Sequence, residues 1–97
     1  MTESKYAKIN NHYLYILRSS TNQLYIGITQ DLEERVERHN KKDGAKFTKT
    51  GSDFVLVYQE EYSDLLSAMR REKQLKGWTR AKKEALIVGD LELLKKL

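Results

Sequence analysis

The chain has 97 residues, enough for one domain with one modest core, and it has no cysteine, which excludes a disulfide framework and a thiolate metal site. Its first ten residues do not resemble a secretory signal, and no run approaches the roughly 18 apolar residues of a membrane span. We therefore expect a cytoplasmic protein with no membrane partner. Its net charge of +4 favours a negatively charged binding partner.

Three segments have the composition of β-strands. HYLYILR predicts a first strand over residues 12–18, and QLYIGIT predicts a second strand over residues 23–29. The short SSTN connection between them is typical of a turn, so the two strands should form an antiparallel hairpin. FVLVYQEEY predicts a third strand over residues 54–62. Residues 1–11 lack a pattern and should form a loose tail, which leaves one domain over residues 12–97.

Helical patterns separate and follow these strands. Asp31 and Glu34 have the spacing of a capping box at the start of the segment DLEERVERHNKK, which predicts a first helix. The polar stretch of residues 41–52 predicts a loop. After the third strand, Ser63 is expected to cap a second helix over residues 64–76.

Two more helices complete the predicted fold. Gly77 is expected to end the second helix, and Thr79 to cap a third helix that reaches about Val88. Asp90 should start a short C-terminal helix in DLELLKKL. The order is β-β-α-β-α-α with that short helix last. The predicted fold class is α+β, a small three-stranded, mostly antiparallel sheet flanked by helices.

The excess of positive charge lies in one segment, residues 70–83. Its sequence, RREKQLKGWTRAKK, has seven Lys or Arg residues and one acid, whereas the rest of the chain has eleven basic and thirteen acidic residues. A local basic patch of this kind is typical of phosphate binding. The alternative is a solvated helix surface with no ligand.

Glu72 points more clearly to chemistry than any other residue. Helical spacing places it on an apolar, core-facing stripe of the second helix with Leu65, Leu66, Ala68, Met69 and Leu75. A carboxylate in such a place needs a cation. The cation is either a basic side chain, with Arg35, Arg70 and Arg71 as candidates, or a divalent metal held beside a phosphate.

Arg35 and His39 are four residues apart on the first helix and therefore share one side of it. An arginine can bind a phosphate through two hydrogen bonds, and a nearby histidine can act as a base or as a second donor. The alternative is a surface helix on which Arg35 pairs with Glu34 or Glu37.

Tyrosines and one glycine are placed in the predicted hairpin. Tyr13 and Tyr15 share one side of the first strand, and Tyr25 and Gly27 share one side of the second. A tyrosine hydroxyl can position a phosphate or a water, or act as a base beside a cation, although such tyrosines are usually half-buried sheet residues. Gly27 indicates either close approach of a ligand or a bulge.

Together these residues resemble the GIY-YIG nuclease superfamily. YLY at residues 13–15 stands where that family carries GIY, and YIG at residues 25–27 matches without change. Arg35, His39 and Glu72 follow in the family's order. GAKFT and REKQLKGWTRAKKEALI further resemble the short, stand-alone bacterial members, so that the resemblance covers most of the chain.

The resemblance implies a metal-dependent endonuclease that hydrolyses DNA phosphodiester bonds, with branched or single-stranded DNA as candidate substrates. Glu72 would bind one Mg²⁺ or Mn²⁺ ion. Tyr15, with His39 as the competing base, would activate the attacking water. Tyr25 and Arg35 would contact the phosphate and stabilise the transition state.

The chain departs from the family pattern in two places. Tyr13 replaces the first glycine, and no asparagine follows Asn40, although many members have one beyond the glutamate. Either Glu84 or a lysine occupies that region. A partner protein could supply specificity, or basic residues of the chain itself could bind the nucleic acid: Lys46, Lys49, Arg70, Arg71, Lys73, Lys76, Arg80 and Lys83. The alternatives are a non-catalytic nucleic-acid-binding module and a small domain that binds an acidic protein.

Overall fold

The computed structural model describes residues 11–47 and 53–97, except for the side chains of residues 41–47. In chain order the elements are β1 (His12–Ser19), β2 (Leu24–Thr29), α1 (Leu32–Phe47), β3 (Phe54–Tyr62), α2 (Leu65–Lys76), α3 (Arg80–Val88) and α4 (Leu91–Lys96). The α+β class and the predicted order of elements are therefore confirmed. The predicted tail lies outside the described residues apart from Asn11.

The sheet has the strand order β2-β1-β3, and β1 is antiparallel to both neighbours. In the β1–β2 hairpin, Tyr15 pairs with Gly27 and Leu17 pairs with Tyr25. Asn22 closes the connecting turn with a φ of 68°, a conformation that asparagine adopts more readily than most residues. The predicted hairpin is confirmed, and its register puts the two tyrosine motifs side by side.

Both sides of β1 are covered by helices, so that the centre of this strand is buried. On one side, Leu14 packs against Leu75 of α2 and Leu86 of α3. On the other side, Tyr15 packs in a second cluster that includes Val36 of α1. Because neighbouring residues of a strand point in opposite directions, β1 contributes to both clusters.

The ends of the later helices follow the expected capping chemistry with one correction. The N-cap of α2 is Asp64 and not Ser63, because the Asp64 carboxylate accepts a hydrogen bond from the Ser67 N–H at 2.9 Å. Thr79 and Asp90 cap α3 and α4 as predicted.

The first helix is longer than the sequence predicted. Asp31 caps it by accepting a hydrogen bond from the Glu34 N–H at 3.1 Å, but the Glu34 carboxylate binds Arg38 and so does not complete a capping box. The helix continues to Phe47, and the loop predicted from residue 41 is wrong up to that point. Lysine and alanine favour a helix there, and Gly44 alone does not end it. In the part of the chain that is described, no helix has the length and hydropathy to cross a membrane.

Candidate active site

The ring of Tyr15 lies over Gly27 on the side of the sheet that α1 covers. The Tyr15 side chain is buried, with 4% of its surface exposed. A Cβ atom added to Gly27 would lie 2.7 Å from Cζ of Tyr15, closer than non-bonded carbon atoms approach. The sequence offered a ligand or a bulge as the reason for this glycine. The structure shows a third reason, since the missing side chain makes room for the Tyr15 ring.

Arg35 reaches from α1 to the Tyr15 hydroxyl. Its Nη1 donates a hydrogen bond to the tyrosine Oη at 3.3 Å. Its Nε is buried and is the one buried side-chain polar atom without a partner among the described residues. The predicted alternative, a pair with Glu34 or Glu37, is not found among the described residues, and the Glu34 carboxylate pairs with Arg38 instead. A buried donor without a partner costs free energy, and an acceptor that reached Nε would remove that cost.

Arg35 also lines a cleft of about 390 Å³ at the end of the hairpin. The cleft lies between the start of β1, the end of β2 and the first residues of α1 and α2, with His12, Thr29 and Leu65 among its walls. An arginine in the wall of an open cleft lies close to any phosphate that enters the cleft.

His39 completes an aromatic cluster next to Arg35. Its ring centroid lies 6.3 Å from that of Tyr15, 6.4 Å from that of Tyr25 and 5.2 Å from that of Phe54. Tyr25 is 40% exposed, and its hydroxyl donates to Oε1 of Gln23 at 2.8 Å. The structure therefore brings four predicted site residues together on the α1 side of the sheet.

Asn40 holds this cluster together, and the sequence analysis missed it. Its Nδ2 donates a hydrogen bond to the carbonyl oxygen of Phe54 at 3.1 Å, while its Oδ1 accepts one from the backbone N–H of the same residue. The side chain thus fixes α1 to the first residue of β3 and sets the position of His39 beside it. An asparagine inside a helix is unfavourable by propensity, and that was the available signal.

Glu72 lies on α2, which packs on the other side of the sheet from α1, so the structure does not bring it into the cluster. Its side chain is 23% exposed, and its Oε2 pairs with Nζ of Lys76 at 2.9 Å. The ion pair expected with Arg35, Arg70 or Arg71 is not found, because the partner is the lysine one turn further along the same helix. Such a pair at a partly exposed site stabilises the fold little, and the lysine can leave the carboxylate at small cost.

The apolar stripe on which Glu72 was predicted is wrong in part. Ala68 and Leu75 are fully buried, as expected, but Leu65, Leu66 and Met69 are 47%, 54% and 47% exposed. The helix packs on the sheet through the side that carries the two buried residues, and Glu72 lies at the edge of that side.

The donor set around Glu72 suits a hard divalent cation with few protein ligands. Within the described ranges, no three His, Asp or Glu side chains lie close enough together to hold a metal ion. Mg²⁺ commonly takes one or two carboxylates and fills its remaining positions with water and substrate phosphate. A single, partly exposed carboxylate therefore fits the group that the sequence predicts.

Arg71, predicted to bind nucleic acid, is held by Glu60 of β3. Its Nε and Nη2 each lie 3.0 Å from a Glu60 carboxylate oxygen, and Tyr58 and Tyr62 donate their hydroxyls to the same carboxylate. Burial raises the pKa of Glu60, but the hydrogen bonds from Arg71 and the two tyrosines outweigh it and hold the pKa below its usual value. Burial, followed by the bond to Glu60, raises the pKa of Tyr58 to about 12. This network fastens α2 to the sheet.

Glu84, one of the two candidates for the region in which many family members carry an asparagine, forms another network. Arg18 donates to both of its carboxylate oxygens, at 2.8 and 2.7 Å, and Arg80 donates to one of them at 2.8 Å. The hydrogen bond from Arg18 is the main cause that lowers the pKa of Glu84 to about 2. The carboxylate ties α3 to the hairpin.

The other predicted basic residues fall into three groups. Lys76 and Arg80 are ion-paired with glutamates of their own helices. Lys49 and the side chain of Lys46 lie outside the described residues. In the described part of the chain, no hydrogen bond or ion pair involves the side chains of Arg70, Lys73 and Lys83.

Comparisons with known proteins agree on one family. The model of the GIY-YIG catalytic domain matches residues 11–85. A UPF0213 protein of Staphylococcus haemolyticus is 46% identical over 76 residues, which are 78% of this chain and 93% of that protein. A UPF0213 protein of Staphylococcus aureus strain N315 is 43% identical over 79 residues, which are 81% of this chain and 96% of that protein. These names specify no activity.

A solved structure is also similar. The solution NMR structure of a UPF0213 protein from Bacillus halodurans is 37% identical to this chain, with a TM-score of 0.54. The match covers 80% of this chain and 83% of that one.

Proposed function

The chain belongs to the GIY-YIG family, whose members are of nuclease type, and from this premise we propose that it is a metal-dependent endonuclease that hydrolyses phosphodiester bonds in DNA. The observation that carries the proposal is the contact between Arg35 and the Tyr15 hydroxyl, beside His39 and Tyr25. A cation, hydroxyls and an imidazole at one place are the groups that a phosphate diester and its attacking water require.

Arg35 has the clearest role in this proposal. Arg35 lines an open cleft and its buried Nε has no partner, so a scissile phosphate that enters the cleft would give this donor an acceptor, a non-bridging oxygen. The negative charge on that phosphate grows as the nucleophile attacks, and a fixed cation stabilises the transition state more than the ground state. Tyr25, whose hydroxyl is partly exposed, would add a hydrogen bond to the same phosphate.

Tyr15 would take the proton from the attacking water. Its hydroxyl is held by the Arg35 guanidinium, and a tyrosine needs such a neighbouring cation to act as a base. His39, whose ring lies 6.3 Å from the Tyr15 ring, is the competing base.

Glu72 would hold one Mg²⁺ or Mn²⁺ ion after Lys76 releases its carboxylate. When bound, the metal ion neutralises charge on the phosphate and stabilises the leaving oxygen. The other positions around the ion would be filled by water and substrate, since Glu72 provides one carboxylate.

The test of this proposal is cleavage of labelled nicked, forked and single-stranded DNA in Mn²⁺, with EDTA as the blank. We expect Glu72→Ala to abolish cleavage. The DNA affinity should change by about twofold or less, because the substitution removes no cation and leaves the charge of Lys76 unpaired. Glu92→Ala, at an exposed glutamate of α4, is the matched control and should cleave like the wild type. Equal cleavage by Glu72→Ala would rule out the metal site.

A non-catalytic nucleic-acid-binding module on the same fold is the second candidate. It is favoured by the absence of an asparagine after Asn40 and by Glu84, a candidate for that position, whose carboxylate is already bound by Arg18 and Arg80. This candidate predicts that the wild-type protein binds DNA but cleaves none of the three substrates in Mn²⁺ or Mg²⁺. A partner protein would then supply the chemistry.

A further inference from the structure

Three large apolar side chains of α2 are left without a cover. Leu65, Leu66 and Met69 are each about half exposed, whereas Ala68 and Leu75 of the same helix are fully buried. Helical spacing puts them on the outward side of α2, where Arg70 and Lys73 also lie. We call these five residues the outer side of α2. It combines apolar surface with two cations that have no ion-pair partner among the described residues.

The outer side of α2 continues into the candidate active site. Leu65 lines the cleft that Arg35 also lines, so the first residue of α2 and Arg35 share one opening. Glu72 is three residues from Met69 and seven from Leu65, which places it along the edge of the same surface. Leu65 and Met69 therefore lie beside the direction from the cleft to Glu72 along α2.

We propose that the outer side of α2 binds unpaired nucleotides that flank the scissile phosphate of a single-stranded or unwound polynucleotide. This inference rests on the proposed function for the position of that phosphate. Arg70 and Lys73 match the phosphates, and the exposed leucines and methionine match the apolar faces of bases that no longer stack. A paired duplex buries those base faces in its own stack, so it would use the cations and not the apolar side chains.

The composition of this surface distinguishes the proposed ligand from other occupants. In a symmetric dimer through this surface, Arg70 and Lys73 would be buried against a second copy of a surface whose five residues include no acid. A wholly apolar partner would leave both cations without a counter-charge. A strand with phosphates on one side and bases on the other satisfies both components at once.

The test compares binding of one labelled oligonucleotide, single-stranded or in a duplex, by fluorescence anisotropy of the full chain in EDTA, where no hydrolysis occurs. We expect Leu66→Ser combined with Met69→Ser to raise the Kd for the single strand about tenfold, and for the duplex about twofold or less. Val88→Ser combined with Leu91→Ser is the matched control, since these side chains are 72% and 62% exposed. That control should change neither Kd.

A second variant tests the cations. Arg70→Gln combined with Lys73→Gln should weaken binding of both DNA forms and flatten the salt dependence of the single-strand affinity by roughly 0.7 per lost contact in a plot of log K against log salt. Equal losses for single strand and duplex with the Leu66 and Met69 variant would overturn the inference. Unchanged DNA binding with loss of self-association in sedimentation would also overturn it and would assign the surface to a second copy.

The outcomes separate this inference from the proposed function. A wild-type protein that binds the single strand through Leu66 and Met69 but cleaves nothing would refute hydrolysis and support the surface. Cleavage by a protein whose binding ignores both substitutions would support hydrolysis and refute the surface.

Discussion

Arg35 and Tyr15 depend on each other at the candidate site, because the guanidinium is the one described hydrogen-bond partner of the Tyr15 hydroxyl. The tyrosine also depends on Gly27, whose missing side chain gives the ring its position. These two dependences give separate predictions, one for chemistry and one for packing.

Arg35→Lys is expected to keep the fold and to lose most of the cleavage. A lysine keeps the charge but lacks the planar fork that reaches both Tyr15 and a phosphate, so the rate should fall roughly a hundredfold or more. Arg38→Lys is the control on the same helix, since Arg38 is 60% exposed and pairs with Glu34. Single-turnover cleavage with saturating DNA measures both. A rate for Arg35→Lys close to that of the wild type would remove Arg35 from the chemistry.

Gly27→Ala is expected to destabilise the fold and displace the Tyr15 ring. The new methyl group would overlap the ring, and such overpacking costs about 1–3 kcal/mol in the free energy of unfolding. Gly77→Ala is the matched control, because its nearest neighbour lies at 3.5 Å and its φ is −86°. Urea denaturation measures the free energy of unfolding of both variants. An equal change in the two would show that the contact of residue 27 with Tyr15 does not contribute to the loss of stability.

At the scale of the elements, the strands were predictable because their signals are local. Alternation of side chains and the short turn predicted the hairpin, but its register, and with it the contact of Tyr15 with Gly27, was not inferred from the sequence. The contact between Asn40 and Phe54 could not be inferred from the sequence either. It joins an asparagine side chain to the backbone of a residue 14 positions away.

The orientation of α2 was also beyond the sequence. Apolar residues predict that Leu65, Leu66 and Met69 face the core, but the helix instead turns Arg71 towards the sheet. The reason is Glu60 on β3, which offers that arginine a buried partner with two tyrosine hydroxyls around it. A pattern within one helix cannot reveal a partner on a strand.

The Glu84 network predicts how the attachment of α3 responds to pH. The folded-state pKa of Glu84 is about 2, against 4.5 for the free side chain, so its contribution is complete above about pH 4.5 and is lost as the pH falls towards 2. A shift of this size corresponds to at most about 3 kcal/mol, and we expect about half because a third of the side chain is exposed.

Glu84→Gln tests this directly. Its free energy of unfolding should lie below that of the wild type at about pH 6, and the two should converge as the pH falls through the window. Urea denaturation at a series of pH values measures the difference, which cancels the titration of Glu60 and the other carboxyl groups. Glu92→Gln serves as the control. A constant gap between Glu84→Gln and the wild type would contradict the role of the ionised carboxylate.

At the scale of the whole molecule, the charge of the basic segment overstates what it can offer a ligand. Seven basic residues lie in residues 70–83. Of these, Arg71, Lys76 and Arg80 form ion pairs with glutamates, and Lys82 lies over the Trp78 ring at 5.1 Å. The remaining cations of the segment are Arg70, Lys73 and Lys83. The sequence shows where the charge is concentrated, but only the structure separates the cations held by glutamates or by Trp78 from the others.

This division predicts the salt dependence of DNA binding. Three phosphate contacts should contribute a slope of about −2 to a plot of log K against log salt for a single strand, whereas seven would contribute about −5. Replacing Arg70, Lys73 and Lys83 with glutamine should therefore flatten the measured slope by about 2 and weaken binding most at low salt. Lys95→Gln combined with Lys96→Gln, at the exposed end of α4, removes charge of the same sign elsewhere. If DNA affinity followed net charge alone, the Lys95 and Lys96 control would flatten the slope by about as much per lost charge as the triple variant does. If Arg70, Lys73 and Lys83 contact the phosphates directly, the slope of the control should equal that of the wild type.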